Sequence, residues 1–311
     1  MMPQPSATAL PATRPNPRAS LALATARAPR ALTVFALAAG ALLGAPAQAT
    51  PWQRFGEPTP DRQPEAIGKF TNGCVLGAQA LPDSGPGYQA VRLARKRNYG
   101  HPWLVETITE LGARVAERGL GTMLVADMSM PRGGRFASGH RSHQSGLDAD
   151  IWLRLDAPRL PKAKRMGYSD VAARLFVDRK ALVVTEDFAW KHAELIRLAA
   201  QDDRVARIFV HPAIKKDLCE RRWEVSRDWL EKVRPWWGHD AHFHLRLQCP
   251  PGSVDCADQA PPPPGEGCGE ELDEWFVQMR KPPQPRPDPP PSPPPTPPLP
   301  ERCQLLLDGA G

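Results

Sequence analysis

Several motifs that mark common hydrolytic mechanisms are missing from this chain of 311 residues. No histidine is followed by glutamate, so the H-E-x-x-H zinc motif is absent. The patterns G-x-S-x-G and S-x-x-K are absent too, which leaves a serine nucleophile without a recognisable anchor. No C-x2-C pair occurs, so the cysteines are not spaced as in a zinc ribbon. Whatever chemistry the chain carries must come from other residues.

The sequence also lacks an apolar run of the roughly 20 residues that a membrane-spanning helix requires. Residues 31–43 form an apolar run of 13, preceded by four arginines and no acidic residue, and followed by Ala47-Gln48-Ala49. This pattern predicts a secretory signal over residues 1–49, cleaved before Thr50. The alternative is a buried N-terminal helix. After cleavage we expect an exported protein with no stable membrane insertion.

The net charge is small once the predicted signal is removed. The whole chain has a net charge of +6, and the four arginines of residues 1–30 account for four of these charges. The remaining +2 gives no electrostatic footprint for nucleic-acid binding. We therefore expect no nucleic-acid partner.

Cysteine usage agrees with export. An even number of cysteines, all after residue 49, predicts three disulfides in an oxidising compartment. Six cysteines allow fifteen connectivities, and spacing does not choose among them. The six are Cys74, Cys219, Cys249, Cys256, Cys268 and Cys303.

Proline is abundant but unevenly distributed. Of 38 prolines, 13 lie in residues 282–300, which is typical of polyproline II structure. A ligand for a proline-recognising domain is one interpretation. Because Cys303 follows the run, a strap tied back by a disulfide is the one we favour. We predict a globular domain over residues 50–260 and a Pro-rich C-terminal extension over residues 261–311.

Hydrophobic periodicity within residues 50–260 is mixed. Helical spacing covers residues 103–118 and 188–200. Short runs typical of strands cover residues 122–126, 150–155, 205–210 and 242–247. We predict an α+β fold with a mainly antiparallel sheet and helices packed against it.

Five of the eight histidines fall in two clusters. His140 and His143 form the first, and His239, His242 and His244 form the second. Five imidazoles are difficult to satisfy together in an apolar core, so the clusters indicate a functional site. In a strand, residues i and i+2 share a face, which places His242 and His244 together, about 6.6 Å apart.

Asp150 begins another predicted strand and lies opposite its apolar face. His143, Asp150 and His244 would form a three-ligand zinc site with an open fourth position, as in catalytic zinc centres. Zinc there would activate a water molecule and polarise a carbonyl. In the absence of the usual glutamate, His242 is the candidate general base, with His239 as a second imidazole that stabilises an oxyanion or transfers a proton.

Four segments resemble the penicillin-insensitive murein endopeptidases, within the superfamily of lysostaphin, the D-Ala-D-Ala peptidases and the hedgehog domain. The likeness runs from about Thr50 to the last cysteine. It implies that superfamily's zinc fold and a periplasmic zinc endopeptidase that hydrolyses D-alanyl-meso-diaminopimelyl cross-links of peptidoglycan and is insensitive to penicillin. The segments are VADMSMPRGGRF (125–136), SGHRSHQSGLDADI (138–151), RIFVHPAIKKDLC (207–219) and RPWWGHDAHFHLRLQCP (234–250).

The resemblance also assigns roles by position. It implies zinc ligation by His143, Asp150 and His244, an active-site role for His242 and His239, and involvement of His140 in metal binding. It implies three disulfides: Cys74 with Cys303, Cys219 with Cys268, and Cys249 with Cys256. Where relatives carry an Asp-Gly-Lys-His stretch associated with an extra metal, this chain has Asp178-Arg-Lys-Ala181, so Asp178 is at most a weak ligand.

The other candidates have competing structural interpretations. His101 and His211, each before a proline, are expected to cap helices or lie in loops, and His192 to be a satisfied boundary histidine. Asp148 could support a neighbouring histidine or be a solvated loop carboxylate. Trp236 and Trp237 could line the substrate groove or belong to the core. Three arginines could bind substrate carboxylates or form a solvated basic loop: Arg132, Arg135 and Arg141.

Two other functions fit the same residues. A carboxypeptidase that removes terminal D-Ala would use the same zinc core. A non-catalytic wall-binding protein would keep zinc for structure, but His239 and His242 would then be unnecessary.

Overall fold

The computed structural model describes residues 50–60, 62–137, 139–168, 175–282 and 296–309. The predicted signal segment and residues 283–295 of the Pro-rich run lie outside the described residues. Within them the helices are α1 (Pro102–Glu117), α2 (Lys162–Met166), α3 (Trp190–Ala200), α4 (Pro212–Glu220), α5 (Glu270–Arg280) and α6 (Glu301–Asp308).

Strands are short and numerous. In chain order they are β1 (Glu65–Lys69), β2 (Asn72–Leu76), β3 (Gln79–Ala80), β4 (Ser84–Gly85), β5 (Tyr88–Ala90), β6 (Tyr99–Gly100), β7 (Met123–Val125), β8 (Asp148–Trp152), β9 (Val177–Asp178), β10 (Val183–Val184), β11 (Val205–Val210), β12 (Val233–Pro235) and β13 (His242–Leu247).

Seven strands form the central sheet, in the order β12-β11-β13-β8-β7-β5-β4. The predicted α+β class is confirmed, but the sheet is mixed. Strands β11 and β12 are parallel, and so are β5 and β7, whereas the other four neighbouring pairs are antiparallel. Parallel neighbours require a crossover connection. Helix α1 supplies it between β5 and β7, and α4 supplies it between β11 and β12.

The central strands show the alternation that the sequence predicts. On β13, Phe243, Leu245 and Leu247 are buried in the main hydrophobic core, which also contains Ile151 of β8. The strands observed at 205–210 and 242–247 match their predicted bounds, while β8 runs from 148 to 152 rather than from 150 to 155. The histidine-bearing face of β13 therefore turns away from this core.

Two helices begin with a His-Pro pair. The Nδ1 atom of His101 accepts a hydrogen bond from the Trp103 amide in α1, and Nδ1 of His211 accepts one from the Ala213 amide in α4. Proline in the first turn has no amide proton that needs a partner. The predicted capping role of both histidines is confirmed, and neither belongs to the histidine clusters.

Three disulfides hold peripheral elements to the sheet domain, and they have the pairings that the resemblance implies. Cys74 of β2 is bonded to Cys303 of α6, across 229 residues. Cys219 of α4 is bonded to Cys268, just before α5, and Cys249 is bonded to Cys256. Helix α6 packs in a second hydrophobic cluster with Trp52, Met130 and Phe136.

Across the described ranges, the structure contains no helix long and apolar enough to cross a membrane.

Candidate metal site

Two ligand candidates face each other across the centre of the sheet. Asp150 of β8 and His244 of β13 are directly opposed in the antiparallel register. Side chains at such positions have Cβ atoms about 4.5–5.5 Å apart. The Nδ1 atom of His244 lies 3.2 Å from Oδ1 of Asp150. Strand pairing alone thus brings together two residues that are 94 positions apart in sequence.

The loop between β7 and β8 supplies two more imidazoles. The Nε2 atom of His143 lies 3.6 Å from Oδ1 of Asp150, and Nε2 of His140 lies 3.1 Å from Oδ2. His143 has a left-handed backbone conformation, with φ of 70°. One ligand atom from each of His140, His143, Asp150 and His244 lies within 4.8 Å of the others. The sequence-based ligands therefore converge in a His3Asp cluster.

A buried carboxylate contacts two of the clustered histidines. Asp148 accepts a hydrogen bond from the His143 amide at 2.9 Å and one from Nε of Arg246 at 2.7 Å. Its Oδ1 also lies 3.2 Å from Nε2 of His244. Because Nε2 of His244 faces Asp148, Nδ1 is left to face Asp150. Asp148 is completely buried, so the solvated-loop interpretation of this residue is excluded.

The electrostatics of the cluster call for a cation. Burial alone would raise the pKa of Asp150, but the neighbouring histidines hold it well below its usual value, so the group is a buried carboxylate. Burial lowers the pKa of His143 to about 4, which favours its neutral form. Within the part of the chain that the structure describes, Oδ1 of Asp150 and Nε2 of His143 are buried without hydrogen-bond partners.

Buried charges are normally paired or bound to metals. A buried carboxylate beside imidazole nitrogens, with Oδ1 of Asp150 and Nε2 of His143 unpartnered, suits a divalent metal ion. The residues present therefore fit the group that the family resemblance implies. Histidine nitrogens and a carboxylate oxygen are ligands that zinc accepts.

The two further histidines lie beside this cluster. Nε2 of His242 is buried without a hydrogen-bond partner and lies 3.8 Å from Oδ1 of Asp150. The imidazole rings of His239 and His242 have centroids 5.1 Å apart. Nδ1 of His239 donates to the carbonyl of Trp237 at 2.8 Å, which leaves Nε2 of His239 as the acceptor nitrogen. The structure thus gathers all five clustered histidines in one place.

The cluster lies at a cleft of about 380 Å³. His140, His239 and His244 line it, and the tip of the β1–β2 hairpin forms another wall through Phe70 and Thr71. Phe209 and Trp236 contribute aromatic walls. A larger cavity of about 730 Å³ lies elsewhere, and none of the clustered histidines lines it. Because three of the clustered histidines line the smaller cleft, this cleft rather than the larger cavity belongs to the site.

Some candidates from the sequence lie outside the site. Asp178 is exposed, and its carboxylate accepts hydrogen bonds from the amides of Lys180 and Ala181, so it stabilises a turn. His192 is buried against Phe176 and Phe188, and its Nδ1 accepts a hydrogen bond from the Ala189 amide, as expected of a satisfied boundary residue. Neither is among the four clustered ligands.

The three arginines considered for binding substrate carboxylates make different contacts in the structure. The guanidinium of Arg132 lies over the Phe55 ring, and Arg135 donates to the Thr296 hydroxyl. Arg141 alone of the three lines the cleft with His140 and His239. It is the one that remains placed to meet a substrate carboxylate.

Two residues of the site were not among the functional candidates from sequence. Arg246 shares the face of His242 and His244 by alternation, but its ion pair with Asp148 depends on strand pairing. Phe209 lies opposite His244 in the β11–β13 register, and the two rings have centroids 5.5 Å apart. The i+2 pattern places Arg246 on this face but gives no partner for it, whereas Phe209 has no local signal.

A cluster of imidazole and carboxylate ligands, of which His140 and His244 line the cleft, defines the class as that of a metal-dependent hydrolase. The family model of penicillin-insensitive murein endopeptidase matches residues 66–308, a range that includes most of the predicted C-terminal extension. The chain belongs to the penicillin-insensitive murein endopeptidase family, and it is a hydrolase of that family.

Individual relatives agree with the family match. The penicillin-insensitive murein endopeptidase of Klebsiella pneumoniae subsp. pneumoniae is 48% identical over 276 residues, which cover 89% of this chain and 97% of the relative. The protein of the same name from Haemophilus influenzae is 51% identical over 238 residues, covering 75% and 80%. That from Salmonella newport is 48% identical over 278 residues, covering 89% and 97%.

Proposed function

We propose that this protein is a periplasmic zinc endopeptidase that hydrolyses the D-alanyl-meso-diaminopimelyl cross-links of peptidoglycan. The observation that carries the proposal is the His3Asp cluster, which meets the cleft through His140 and His244. Membership of the family supports the substrate class, since the relatives are named murein endopeptidases. The three disulfides are in keeping with an oxidising compartment outside the cytoplasm.

His143, Asp150 and His244 are the proposed ligands, with His140 as a further donor. When bound, zinc supplies Lewis acidity toward the scissile carbonyl and lowers the pKa of water to about 7. Asp148 orients two of these ligands, through the His143 amide and the His244 ring. Such supporting contacts fix ring orientation and tautomer in metal sites.

The acid–base work is assigned to the two other histidines. His242 has a buried ring nitrogen without a hydrogen-bond partner that faces the cluster, so it is placed to take a proton from the attacking water. His239 holds its Nδ1 proton on the Trp237 carbonyl and offers Nε2 as an acceptor. This tautomer supports proton transfer by His239 over oxyanion stabilisation, since a neutral Nε2 has no proton to donate.

Product analysis tests the proposal. The purified protein is incubated with a defined cross-linked muropeptide dimer, with and without a chelator, and the products are identified by mass spectrometry. We expect monomers that the chelator prevents from forming. Free D-Ala without monomers would instead show a carboxypeptidase, and binding to peptidoglycan without any cleavage, even with added zinc, would show a non-catalytic wall-binding protein.

Two histidine variants connect the result to the site. His244→Ala is expected to lose both stoichiometric zinc and monomer release while remaining folded. His101→Asn is the matched control, because asparagine also caps helices and His101 lies outside the cluster. Full activity in the His244→Ala variant would contradict the site assignment.

A further inference from the structure

Three tryptophans, two of them exposed and Trp275 half-buried, form an aromatic surface beside the cleft. Trp236 and Trp237 follow β12, and Trp275 lies on α5. The ring of Trp275 has its centroid 5.9 Å from that of Trp236 and 5.2 Å from that of Trp237. Trp236 is 49% exposed and Trp237 is 50% exposed. We call these three residues the tryptophan surface. The sequence left open whether Trp236 and Trp237 belong to the core, and their exposure shows that they do not.

The backbone that carries these rings is held in place. The amide of Trp236 donates to the Val210 carbonyl at 2.8 Å. Helix α5 is fixed by the Cys219–Cys268 disulfide at its start and by an ion pair between Glu271 and Arg234 of β12. The rings are therefore displayed on anchored elements rather than on a loose tail. Clustered exposed aromatic groups on a soluble protein mark an interaction site.

The surface is continuous with the catalytic cleft. Trp236 lines the cleft together with His239 and His244. The Phe209 ring bridges the two regions, with its centroid 5.6 Å from that of Trp236 and 5.5 Å from that of His244. A molecule that occupies the cleft and extends past Phe209 meets the tryptophan surface next.

The three indole rings of the surface favour a ligand with flat apolar faces. The charged pair that joins β12 to α5, Arg234 with Glu271, is satisfied within the fold. A β-linked pyranose has such faces, because its ring C–H groups point above and below the ring while its hydroxyls lie at the edge. Tryptophan rings stack on faces of this kind.

The reach of the substrate also fits. In peptidoglycan each cross-linked peptide is attached to a sugar of the glycan strand, and a stem of three or four residues spans at most about 10–14 Å. Steps of 5.5 and 5.6 Å between ring centroids lead from His244 through Phe209 to Trp236, within the span of the stem. The Trp275 ring lies 5.9 Å from that of Trp236, where the sugar follows the stem. Resting on the proposed function, we propose that the tryptophan surface binds the glycan-strand sugar that carries the peptide being cut.

Binding is tested without catalysis. Peptide-free glycan oligomers are added to the full chain, and the indole N–H signals are followed by NMR. We expect the signals of the tryptophan surface to shift, and the shift to be lost in Trp275→Ala. Trp190, which is 56% exposed on α3 and lines a different cavity, supplies the matched control Trp190→Ala. No shift, or a shift that survives in Trp275→Ala, would overturn the proposal.

Kinetics supply the second test. The substrates are a cross-linked dimer with its sugars and the same dimer with the sugars removed. We expect wild type to prefer the sugar-bearing dimer by about tenfold in kcat/KM, which corresponds to about 1.4 kcal/mol. Trp275→Ala should lose this preference without changing turnover of the sugar-free dimer, and Trp275→Phe should retain most of it.

The outcomes are distinguishable. An equal loss on both dimers in Trp275→Ala would show that the surface serves the peptide or the fold, and would overturn the sugar assignment. A concentration-dependent dimer of the protein that Trp275→Ala abolishes would assign the surface to a second copy instead. If neither dimer is cleaved by wild type, the proposed function fails, while the NMR titration still decides whether the surface binds sugar.

Discussion

Asp148 and Arg246 form a buried ion pair directly behind the metal-site histidines. Nε of Arg246 donates to Oδ1 of Asp148 at 2.7 Å, and the same oxygen lies 3.2 Å from Nε2 of His244. Although burial alone would raise the pKa of Asp148, the charge of Arg246 holds it below its usual value. The carboxylate is thus kept ionised and accepts a hydrogen bond from Nε2 of His244. The Nδ1 atom of His244 faces Asp150.

We therefore expect Asp148→Asn to weaken metal binding by about 10- to 100-fold, the usual cost of losing such a supporting contact. Competition with a chelator measures the affinity. Asp127→Asn is the matched control, because Asp127 is also buried and paired with arginines, Arg95 and Arg97, but its side chain is not part of the cluster. Equal affinity in the wild type and Asp148→Asn would contradict the orienting role.

His242 should separate metal binding from turnover. It faces Asp150 at 3.8 Å but is not among the four clustered ligands. We expect His242→Ala to keep stoichiometric zinc and to lower kcat by at least about 100-fold, the lower end of general acid–base contributions. Metal analysis beside dimer cleavage checks both. Loss of zinc in this variant would make His242 a ligand instead of a base.

The disulfides should differ in their contribution to stability. In the chain-entropy model a cross-link across 229 residues contributes about 5 kcal/mol, and one across 7 residues about 2–3 kcal/mol. We expect Cys74→Ala/Cys303→Ala to lose roughly twice as much free energy of unfolding as Cys249→Ala/Cys256→Ala, measured in urea. Equal losses would indicate that native-state strain or residual structure outweighs loop closure.

Lys215 should make stability depend on pH. Its ammonium is buried and donates to the carbonyls of Leu230 and Glu266, and burial lowers its pKa to about 7 from an ordinary 10.5. Between these two values the unfolded chain binds the extra proton, so stability rises with pH. Relative to Lys215→Met, wild type should gain about 2 kcal/mol from pH 7 to pH 9. Urea unfolding at both values, with disulfides intact, measures the difference; a constant difference would show an ordinary pKa.

Local periodicity predicted much of the central sheet. The alternation of Phe243, Leu245 and Leu247 with His242, His244 and Arg246 identified β13 and the face that carries the imidazoles. It also favoured Asp150 as a metal ligand, because Asp150 lies on the face of its strand opposite the apolar residues. These features follow from the two-residue period of a strand, which sequence records directly.

Other features depend on contacts that no local pattern records. The parallel placement of β5 beside β7 and of β12 beside β11 follows from where α1 and α4 return the chain. The disulfide pairings came from resemblance, since spacing left fifteen choices. The Phe209 contact with His244 arises from the register of two strands joined by a long connection. The roles of the individual histidines in catalysis stay predictions.

The Cys74–Cys303 bond closes nearly the whole folded chain into one covalent ring. A single backbone cut at any point between these two cysteines, including within the Pro-rich run, leaves both fragments joined. A nicked molecule would migrate as intact on a non-reducing gel and as two pieces only after reduction. In an environment that contains other peptidases, the cross-link makes one proteolytic event insufficient to release α6 from the enzyme.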